Sequence, residues 1–304
     1  MPNTEPPERN WFATCPRGVE SLLAAELSTL GATATRETVA GVHFEGPTAV
    51  VYRACLWSRL ASRILFPVSD FPAATPEQLY AGVLAIDWGE HLAADGSLAI
   101  DCSISQSRIS HSHFAALKVK DAIVDQFRQR SGTRPSIDLE QPDIRLNLYL
   151  HRDQATLALD LSGSSLHRRG YRLDGIHAPL KQNLAAAILI RANWPEMVAQ
   201  GGALIDPMCG SGTLPVEAAL IATDSAPRLG RDYFGFFGWQ QYQAEDWQPL
   251  KEEALQRQAA GLQRKLPSIA GYDTDSRAIR TAWQHAEQAG MDKRIHFEKR
   301  AVNG

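Results

Sequence analysis

The stretch Leu204–Thr213, which reads Leu-Ile-Asp-Pro-Met-Cys-Gly-Ser-Gly-Thr, constrains the fold of this chain more than any other. Its two opening apolar residues predict the end of a buried strand, Gly210 and Gly212 predict a tight turn, and the apolar spacing of residues 214–223 predicts a helix. Doubly wound sheets build nucleotide sites from such a strand, turn and helix, since glycine admits a ligand close to the backbone and the helix N-terminus offers free N–H groups. The stretch therefore predicts a Rossmann-like α/β domain with a ligand at this turn.

The spacing of the glycines excludes two common nucleotide motifs. It does not match Gly-x-Gly-x-x-Gly, and the P-loop pattern fails because Leu214 follows Thr213 and no Lys is present there. The stretch resembles motif I of the S-adenosylmethionine (SAM) methyltransferases, in the Asp-Pro-x-Cys-Gly-Ser-Gly-Thr form of amino-methyltransferases acting on RNA and DNA. The alternative is a tight turn without a ligand, which has little need of an Asp and two Gly together. The resemblance implies that SAM is bound by Asp206, Pro207, Cys209, Gly210, Ser211, Gly212 and Thr213.

Length and composition limit the remaining possibilities. A chain of 304 residues predicts about two or three domains, and 44% hydrophobic residues are ample for their cores. The four cysteines form no Cys-x-x-Cys pair, which predicts free thiols in a reducing compartment and no zinc site. No apolar run approaches the roughly 20 residues that span a bilayer. We therefore expect a cytoplasmic protein without a membrane segment or a metal.

The N-terminal part predicts two small α/β domains after a disordered leader at residues 1–10. Strand, helix, strand and helix at 11–15, 17–30, 39–44 and 50–65 follow a ferredoxin-like pattern, which assigns residues 11–70 to the first domain. The second domain is predicted at 71–165. It contains a helix at 115–130, a strictly alternating strand at 143–150 and a hairpin turn at Arg152–Asp153.

Basic residues cluster in and just after this second domain, although the net charge of the chain is −3. A single such residue is best explained as part of a solvated helix face, but the set predicts a surface that binds RNA phosphates. The cluster also includes His111, His113, Arg134, His167 and Arg172. The predicted RNA-binding residues are Arg108, Lys118, Lys120, Arg128, Arg130, Arg168 and Arg169.

Two stretches carry a second resemblance. Phe114-Ala-Ala-Leu-Lys-Val-Lys-Asp, with Pro142-Asp-Ile-Arg-Leu-Asn, looks like a THUMP domain, an RNA-binding module of RNA-modifying enzymes. The runs that start at Leu166 and at Ala178 resemble the junction into the methyltransferase domain of the bacterial RlmL family, called RlmKL when it is fused to a second methyltransferase. The likeness extends from about Trp11 to about Phe297. It implies SAM-dependent methylation of a guanine N2 amine in 23S ribosomal RNA.

The same resemblance assigns residues 166–304 to the first half of a Rossmann-like methyltransferase domain. Asp273 follows a strand and matches motif II, where a carboxylate can accept hydrogen bonds from ribose hydroxyls. Lys181, like Asn183, lies in the first turn of a helix and either reaches the SAM pocket or has no special role. The aromatic segment 226–239, with Arg228 and Arg231, either contacts RNA or covers a neighbouring helix.

Two features of the family pattern are absent from these residues. Lys299, Arg300 and Ala301 stand where relatives place an acidic residue for the adenine, and the catalytic Asn-Pro-Pro-Tyr loop does not occur, so no catalytic residue is assigned. We therefore expect a truncated methyltransferase domain, inactive alone, less ordered over 178–304 than over 11–165, and belonging to a longer bifunctional enzyme. The alternatives are an RNA-binding module without catalysis, or an amino-methyltransferase acting on another RNA base.

Overall fold

A computed structural model of the protein describes residues 8–172 and 180–301. Residues 1–7 of the predicted leader lie outside this range, as does the start of the run at Ala178. The leader prediction is wrong at its end, because Arg9 and Asn10 already pair with β3 in the first strand.

The first eight strands form one continuous sheet that crosses the predicted boundary between the two N-terminal domains. The sheet order is β2-β3-β1-β4-β8-β7-β5-β6, and the joining strands β4 and β8 are antiparallel neighbours. Four helices pack on one face and share a single hydrophobic core with it. The elements are β1 (Arg9–Thr14), α1 (Glu20–Thr29), β2 (Ala34–Thr38), β3 (Gly41–Gly46), α2 (Thr48–Trp57), β4 (Arg63–Pro72), α3 (Pro76–Leu84), β5 (Ser97–Ser105), α4 (Ser112–Ser131), β6 (Ser136–Ile137), β7 (Ile144–His151) and β8 (Gln154–Asp160).

The hairpin of β7 and β8 follows the sequence pattern closely. Successive side chains of a strand point to opposite faces, so the apolar residues of β7, from Ile144 to Leu150, lie in the core, and the residues between them face away from it. Arg152 and Asp153 both have positive φ, at 51° and 60°, as a two-residue turn of the hairpin type requires. The predicted strand and turn are confirmed.

The predicted helix over residues 50–65 is wrong in its second half. Helix α2 ends at Trp57, and Arg63–Pro72 forms the strand β4. β4 lies between β1 and β8, and it pairs with β1 over Arg63–Leu65 and with β8 over Leu65–Pro72. Sheet pairing with partners distant in sequence therefore overrides the helical spacing of the local residues.

The second part of the chain builds a smaller, parallel sheet in the order β11-β10-β9. Because β9 pairs only with β10 among the described strands, Ile205 is 66% exposed, and the prediction of a buried strand end is wrong there. The elements are α5 (Gln182–Arg191), α6 (Trp194–Ala199), β9 (Leu204–Asp206), α7 (Thr213–Ala222), α8 (Ala244–Gln263), β10 (Ile269–Asp273), α9 (Ser276–Gln288) and β11 (His296–Lys299).

A short loop after α2, residues 58–62, joins the two parts. Arg59 Nη2 donates to the carbonyls of Leu220 (3.2 Å) and Ser225 (2.8 Å) at the C-terminal end of α7, where a positive charge is favourable. Asn183 Nδ2 donates to Leu60 O (3.2 Å) and Ser62 Oγ (3.0 Å) and is fully buried. The loop thereby anchors both α7 and α5.

The aromatic segment 226–239 covers helices and contributes to the core. Phe234 and Phe236 are fully buried and contact Trp247, and Phe236 also contacts Tyr52. Arg228 is buried as well and donates to the carbonyls of Cys55, Ser58 and Leu166. Of the two interpretations of this segment, the structural one is confirmed for these residues, because burial excludes RNA from them.

Candidate functional site

The glycine-rich turn lies between β9 and α7, with its backbone joined to β10. Cys209 N donates to Tyr272 O (2.8 Å), and Gly212 N donates to Cys209 O (2.8 Å), which closes the turn. Burial raises the pKa of the Cys209 thiol to about 12, with contributions from Asp206 and Asp273, so this thiol is neutral and acts as a packing group. One backbone hydrogen bond therefore fixes the turn to β10, and a second one lies within the turn.

The two glycines of this turn are required for different reasons. Both have positive φ, 52° at Gly210 and 77° at Gly212. A Cβ at Gly212 would lie 2.8 Å from Phe297 Cζ and 2.9 Å from the Ala282 Cβ, so close packing excludes a side chain there. A Cβ at Gly210 would meet no atom within 4 Å. Gly210 thus borders open space, which is the arrangement expected where a ligand approaches the backbone.

Two carboxylates flank that open space. Asp273 Oδ2 accepts a hydrogen bond from Gly210 N (2.9 Å) and Asp273 Oδ1 accepts one from Asp275 N (2.9 Å). Asp206 Oδ1 accepts one from Met208 N (3.2 Å). Burial and the nearby Asp273 raise the pKa of Asp206 above its ordinary value. Each carboxylate oxygen can accept more than one hydrogen bond, so these groups can bind hydroxyl or ammonium donors of a ligand as well.

Two side chains that the sequence did not assign to the turn form hydrogen bonds with it. Arg172 Nη2 donates to Thr213 Oγ1 (2.8 Å) and to Leu180 O (2.6 Å). His285 Nδ1 contacts Ser211 O at 2.9 Å and must be the donor, because a carbonyl oxygen only accepts. Arg172 belonged to the basic cluster of the sequence, whereas the spacing of α9 offered no sign of a role for His285.

A buried ion pair lies one turn further along α7 and corrects one predicted RNA contact. The side chains of Arg169 and Glu217 are both 0% exposed, with Arg169 Nε 3.3 Å from Glu217 Oε1. Tyr171 Oη donates to the same oxygen (3.0 Å), and burial, followed by Glu217, raises the pKa of Tyr171. Arg169 Nη2 also donates to Arg59 O (2.7 Å). The assignment of Arg169 to RNA is wrong, because its charge is enclosed at the junction of the two parts.

The other predicted cofactor residue, Lys181, is the N-cap of α5 and follows Leu180, whose carbonyl shares the Arg172 guanidinium with Thr213 of the turn. It borders a cavity of about 460 Å³ that is also lined by Ser62, Leu180 and Leu184. Burial, with the charges of Lys181 and Arg168 next in effect, lowers the pKa of the neighbouring His167 to about 4. Of the two alternatives left open for Asn183, the structure favours a structural role, because its Nδ2 donates to the loop 58–62.

The predicted basic residues separate into several places. Lys118, Lys120, Arg128 and Arg134 line one groove of about 680 Å³ beside α4, together with Asp121 and Asp125. The two acids pair with Lys120 (3.0 Å) and Arg128 (3.7 Å). Arg130 pairs with Asp87, Arg108 lies 3.4 Å from Asp153 beyond the end of β5, and Arg168 is exposed after β8. In the part of the chain that the structure describes, the α4 groove brings four of the basic residues of the sequence cluster together.

Within residues 8–172 and 180–301, no group of three or more His, Cys, Asp or Glu side chains is arranged to hold a metal ion. Among the helices that the structure describes, none combines the length and apolar character that crossing a membrane requires.

Three domain families match consecutive parts of the chain. An RlmL ferredoxin-like domain matches residues 10–65, a THUMP domain matches 73–160, and an RMKL-like methyltransferase domain matches 169–303. The last match includes both the glycine-rich turn and Asp273.

Similar proteins agree with these matches. The ribosomal RNA large subunit methyltransferase K/L of Syntrophotalea carbinolica is 61% identical over 95% of this chain, and that of Methylococcus capsulatus is 55% identical over 98%. The chain spans about 40% of the length of each. SMU.472, a protein described as a methyltransferase and crystallised with SAH, superposes with a TM-score of 0.86 at 30% identity, over 97% of this chain and 76% of that one.

Proposed function

This chain belongs to the RlmKL family of ribosomal RNA large subunit methyltransferases, and we propose that it carries the RNA-binding and cofactor-binding parts of a guanine-N2 methylation of 23S ribosomal RNA. The observation that carries the proposal is the open space at Gly210, bordered by Asp273 and by the N-terminus of α7. Such a site suits an amino acid and a ribose joined in one ligand.

SAM is the cofactor of this family, and the residues of the turn fit it. The free N–H groups at the start of α7 suit a carboxylate, and the carboxylates of Asp206 and Asp273 suit an ammonium group and ribose hydroxyls. When bound, SAM supplies an electrophilic methyl group. The residues of this chain bind and orient the cofactor, with Arg172 and His285 keeping the turn in place.

The α4 groove suits the phosphate backbone of the RNA. Four cationic side chains against two carboxylates leave an excess of positive charge, and Arg134 has no ion-pair partner among the described residues. Phosphate contacts of this kind position an RNA without reading its sequence. We propose that this groove holds the ribosomal RNA while the target base is turned out towards the cofactor.

Methyl transfer also requires a group that holds the guanine amine in line with the methyl carbon. The Asn-Pro-Pro-Tyr loop that does this in the family is absent from these 304 residues. We propose that the remainder of a longer, cytoplasmic, bifunctional enzyme supplies it. The isolated chain is expected to give no tritium transfer from labelled SAM to unmodified ribosomal RNA. Transfer above background, with no longer form detectable by mass spectrometry, would contradict this.

Replacement of Asp273 tests the cofactor site. Asp273→Ala should weaken SAM binding by about 1–3 kcal/mol, since hydrogen bonds to a charged group are lost. Calorimetry with SAM on the 304-residue chain measures the change, and Asp275→Ala, which removes a neighbouring carboxylate from the cap of α9, is the matched control. Equal SAM affinities of the Asp273→Ala variant and the unmodified chain would refute the ribose assignment.

Reversal of two charges tests the RNA groove. The pair Lys118→Glu and Lys120→Glu should weaken binding of structured RNA on all sequences alike and reduce its salt dependence. The pair Lys251→Glu and Lys265→Glu, in and just after α8, changes the net charge equally at a distant place and serves as the control. Filter binding over a salt series distinguishes them, and identical salt slopes for both pairs would refute the groove.

A further inference from the structure

The eight-stranded sheet has a second face that carries none of the four helices. On β7 this face presents the residues that alternate with the buried leucines, among them Asn147 and Tyr149. A depression of about 510 Å³ lies on it, lined by residues from seven of the eight strands. The α4 groove belongs to a helix of the opposite layer, so this depression is a separate surface.

Two pairs of aromatic rings lie on this face. Tyr149 and His151 are stacked, with ring centroids 5.8 Å apart and an interplanar angle of 5°. Phe12 and His43 lie 4.7 Å apart on the neighbouring strands β1 and β3. A Cβ on Gly41 would be 2.4 Å from Phe12 Cζ, so the ring of Phe12 occupies the space that a side chain at position 41 would need. The two pairs stand at opposite sides of the depression and leave Tyr149 44% exposed.

The charges of this face leave cations at its borders. The carboxylates of Asp101 and Asp160 pair with Arg63 and Arg145, and Asp70 accepts a hydrogen bond from the Thr156 hydroxyl.

Beyond the ring pairs, Arg36 is exposed opposite His43 on β2, and Arg152 is exposed directly after His151. Burial, followed by the charge of Arg36, lowers the pKa of His43, which keeps that ring neutral near pH 7. The rings of Phe12, His43 and Tyr149 therefore line the depression together with the ion-paired Arg63, and Arg36 and Arg152 lie outside it.

We propose that this face of the sheet is a stacking platform for unpaired RNA nucleotides, whose bases lie on Tyr149–His151 and Phe12–His43. Every base has a π-face, and aromatic side chains on a sheet bind unstacked bases while nearby cations contact the phosphates. Asn147 and the threonine hydroxyls of the depression supply hydrogen-bonding groups for base edges. The inference rests on the proposed RNA substrate. It adds that unpaired nucleotides are bound, and that they are bound on the face of the sheet without helices.

Substitution of one exposed ring tests the platform in the 304-residue chain. The probes are a fluorescent single-stranded RNA of about ten nucleotides, a length within the usual footprint of such surfaces, and the same strand annealed to its complement. Tyr149→Leu should weaken single-strand binding about tenfold, the effect of losing one base–ring stack, and leave duplex binding unchanged. Tyr149→Phe keeps the ring and should bind like the unmodified chain.

Two further measurements separate the possible outcomes. Single-strand affinity of Tyr149→Leu equal to that of Tyr149→Phe overturns the platform. If the pair Lys118→Glu and Lys120→Glu still weakens both probes, the proposed RNA function survives that failure. A 2-aminopurine base in the single strand should be quenched by the unmodified chain and not by Tyr149→Leu. A change of sedimentation in Tyr149→Leu without a change in RNA affinity would assign the face to a second copy of the chain and also overturn the proposal.

Discussion

The two sheets of this protein obtain their stability in different ways. The larger sheet has eight strands, and its β4, of ten residues, is paired on both sides. The smaller sheet has three parallel strands of three to five residues, and its β9 leaves Ile205 exposed. Two hairpins of the first sheet, β2–β3 and β7–β8, can form locally, whereas the parallel strands of the second sheet need long connections. We infer that the second region depends on its contacts with the first.

Those contacts lie directly behind the cofactor turn. Glu217, which pairs with Arg169, lies on α7, and Arg59 donates to carbonyls at the C-terminal end of the same helix. Asn183 ties α5 to the loop 58–62. The region that contains the proposed RNA groove therefore also sets the position of α7, the helix that begins at the proposed SAM site.

Breaking the buried ion pair should have the largest effect on this dependence. Glu217→Leu leaves the Arg169 charge enclosed without a carboxylate, which costs about 3–5 kcal/mol. The loss of amide protection in hydrogen exchange should be greater over residues 180–301 than over 8–165. Adding Arg169→Met should restore much of the stability, because an apolar pair can replace a buried ion pair. Glu253→Gln, in surface ion pairs with Arg53 of α2 and with Arg257, is the control and should cost less than about 1 kcal/mol. Equal effects of Glu217→Leu and Glu253→Gln would contradict the dependence.

The two glycines sharpen the comparison within the smaller sheet. Gly212→Ala should lower the free energy of unfolding by about 1–3 kcal/mol, because the new Cβ overlaps Phe297 and Ala282. Gly210→Ala adds the strain of a positive φ, roughly 1–2 kcal/mol, without any overlap. Its effect should fall mainly on SAM affinity, and Gly210→Val should abolish binding. Urea unfolding measures the loss of stability, and calorimetry measures the loss of SAM affinity. If both variants lose stability and affinity in the same proportion, then Gly212 does not serve packing and Gly210 does not serve SAM binding as separate roles.

The N-cap of α9 tests whether a loss of stability in the region of the smaller sheet is confined to that region. Asp275 Oδ1 accepts a hydrogen bond from Arg277 N (2.8 Å) and caps the N-terminus of α9, so Asp275→Ala should cost about 1 kcal/mol. Amide exchange should rise in α9 and remain unchanged in β7. Faster exchange in both elements would indicate that the two regions unfold as one unit.

A pH series on His167 probes the border of the two regions and should give the smallest effect. The folded pKa, about 4, lies below the ordinary 6.5, so folding favours the neutral ring. The contribution of this group is complete above pH 6.5 and is lost as the pH falls from 6.5 to about 4. Solvent screening reduces it, because the ring is only half-buried. His167→Gln should flatten this part of the stability curve measured by urea unfolding. An unchanged curve would place the acid sensitivity elsewhere.

Some of these features could be predicted from local sequence because their causes are local. The alternation in β7 and the two-residue turn at Arg152–Asp153 involve neighbouring residues, and the cap at Asp275 depends on a residue two positions away. The glycine-rich turn belongs to the same class, since strand, turn and helix follow one another directly. The basic groove was predicted in part, because Lys118, Lys120 and Arg128 all lie on α4.

The sequence by itself determined the α/β class, the methyltransferase family and the position of the cofactor turn, because each is expressed in contiguous residues. Only the tertiary structure decided that the two N-terminal domains share one sheet, that Arg169 is enclosed by Glu217, and that Arg172 and His285 hold the turn. The sequence does not distinguish an exposed arginine from a buried one. Their burial depends on which distant segments pack against them, and local patterns of charge and hydrophobicity carry no record of those partners.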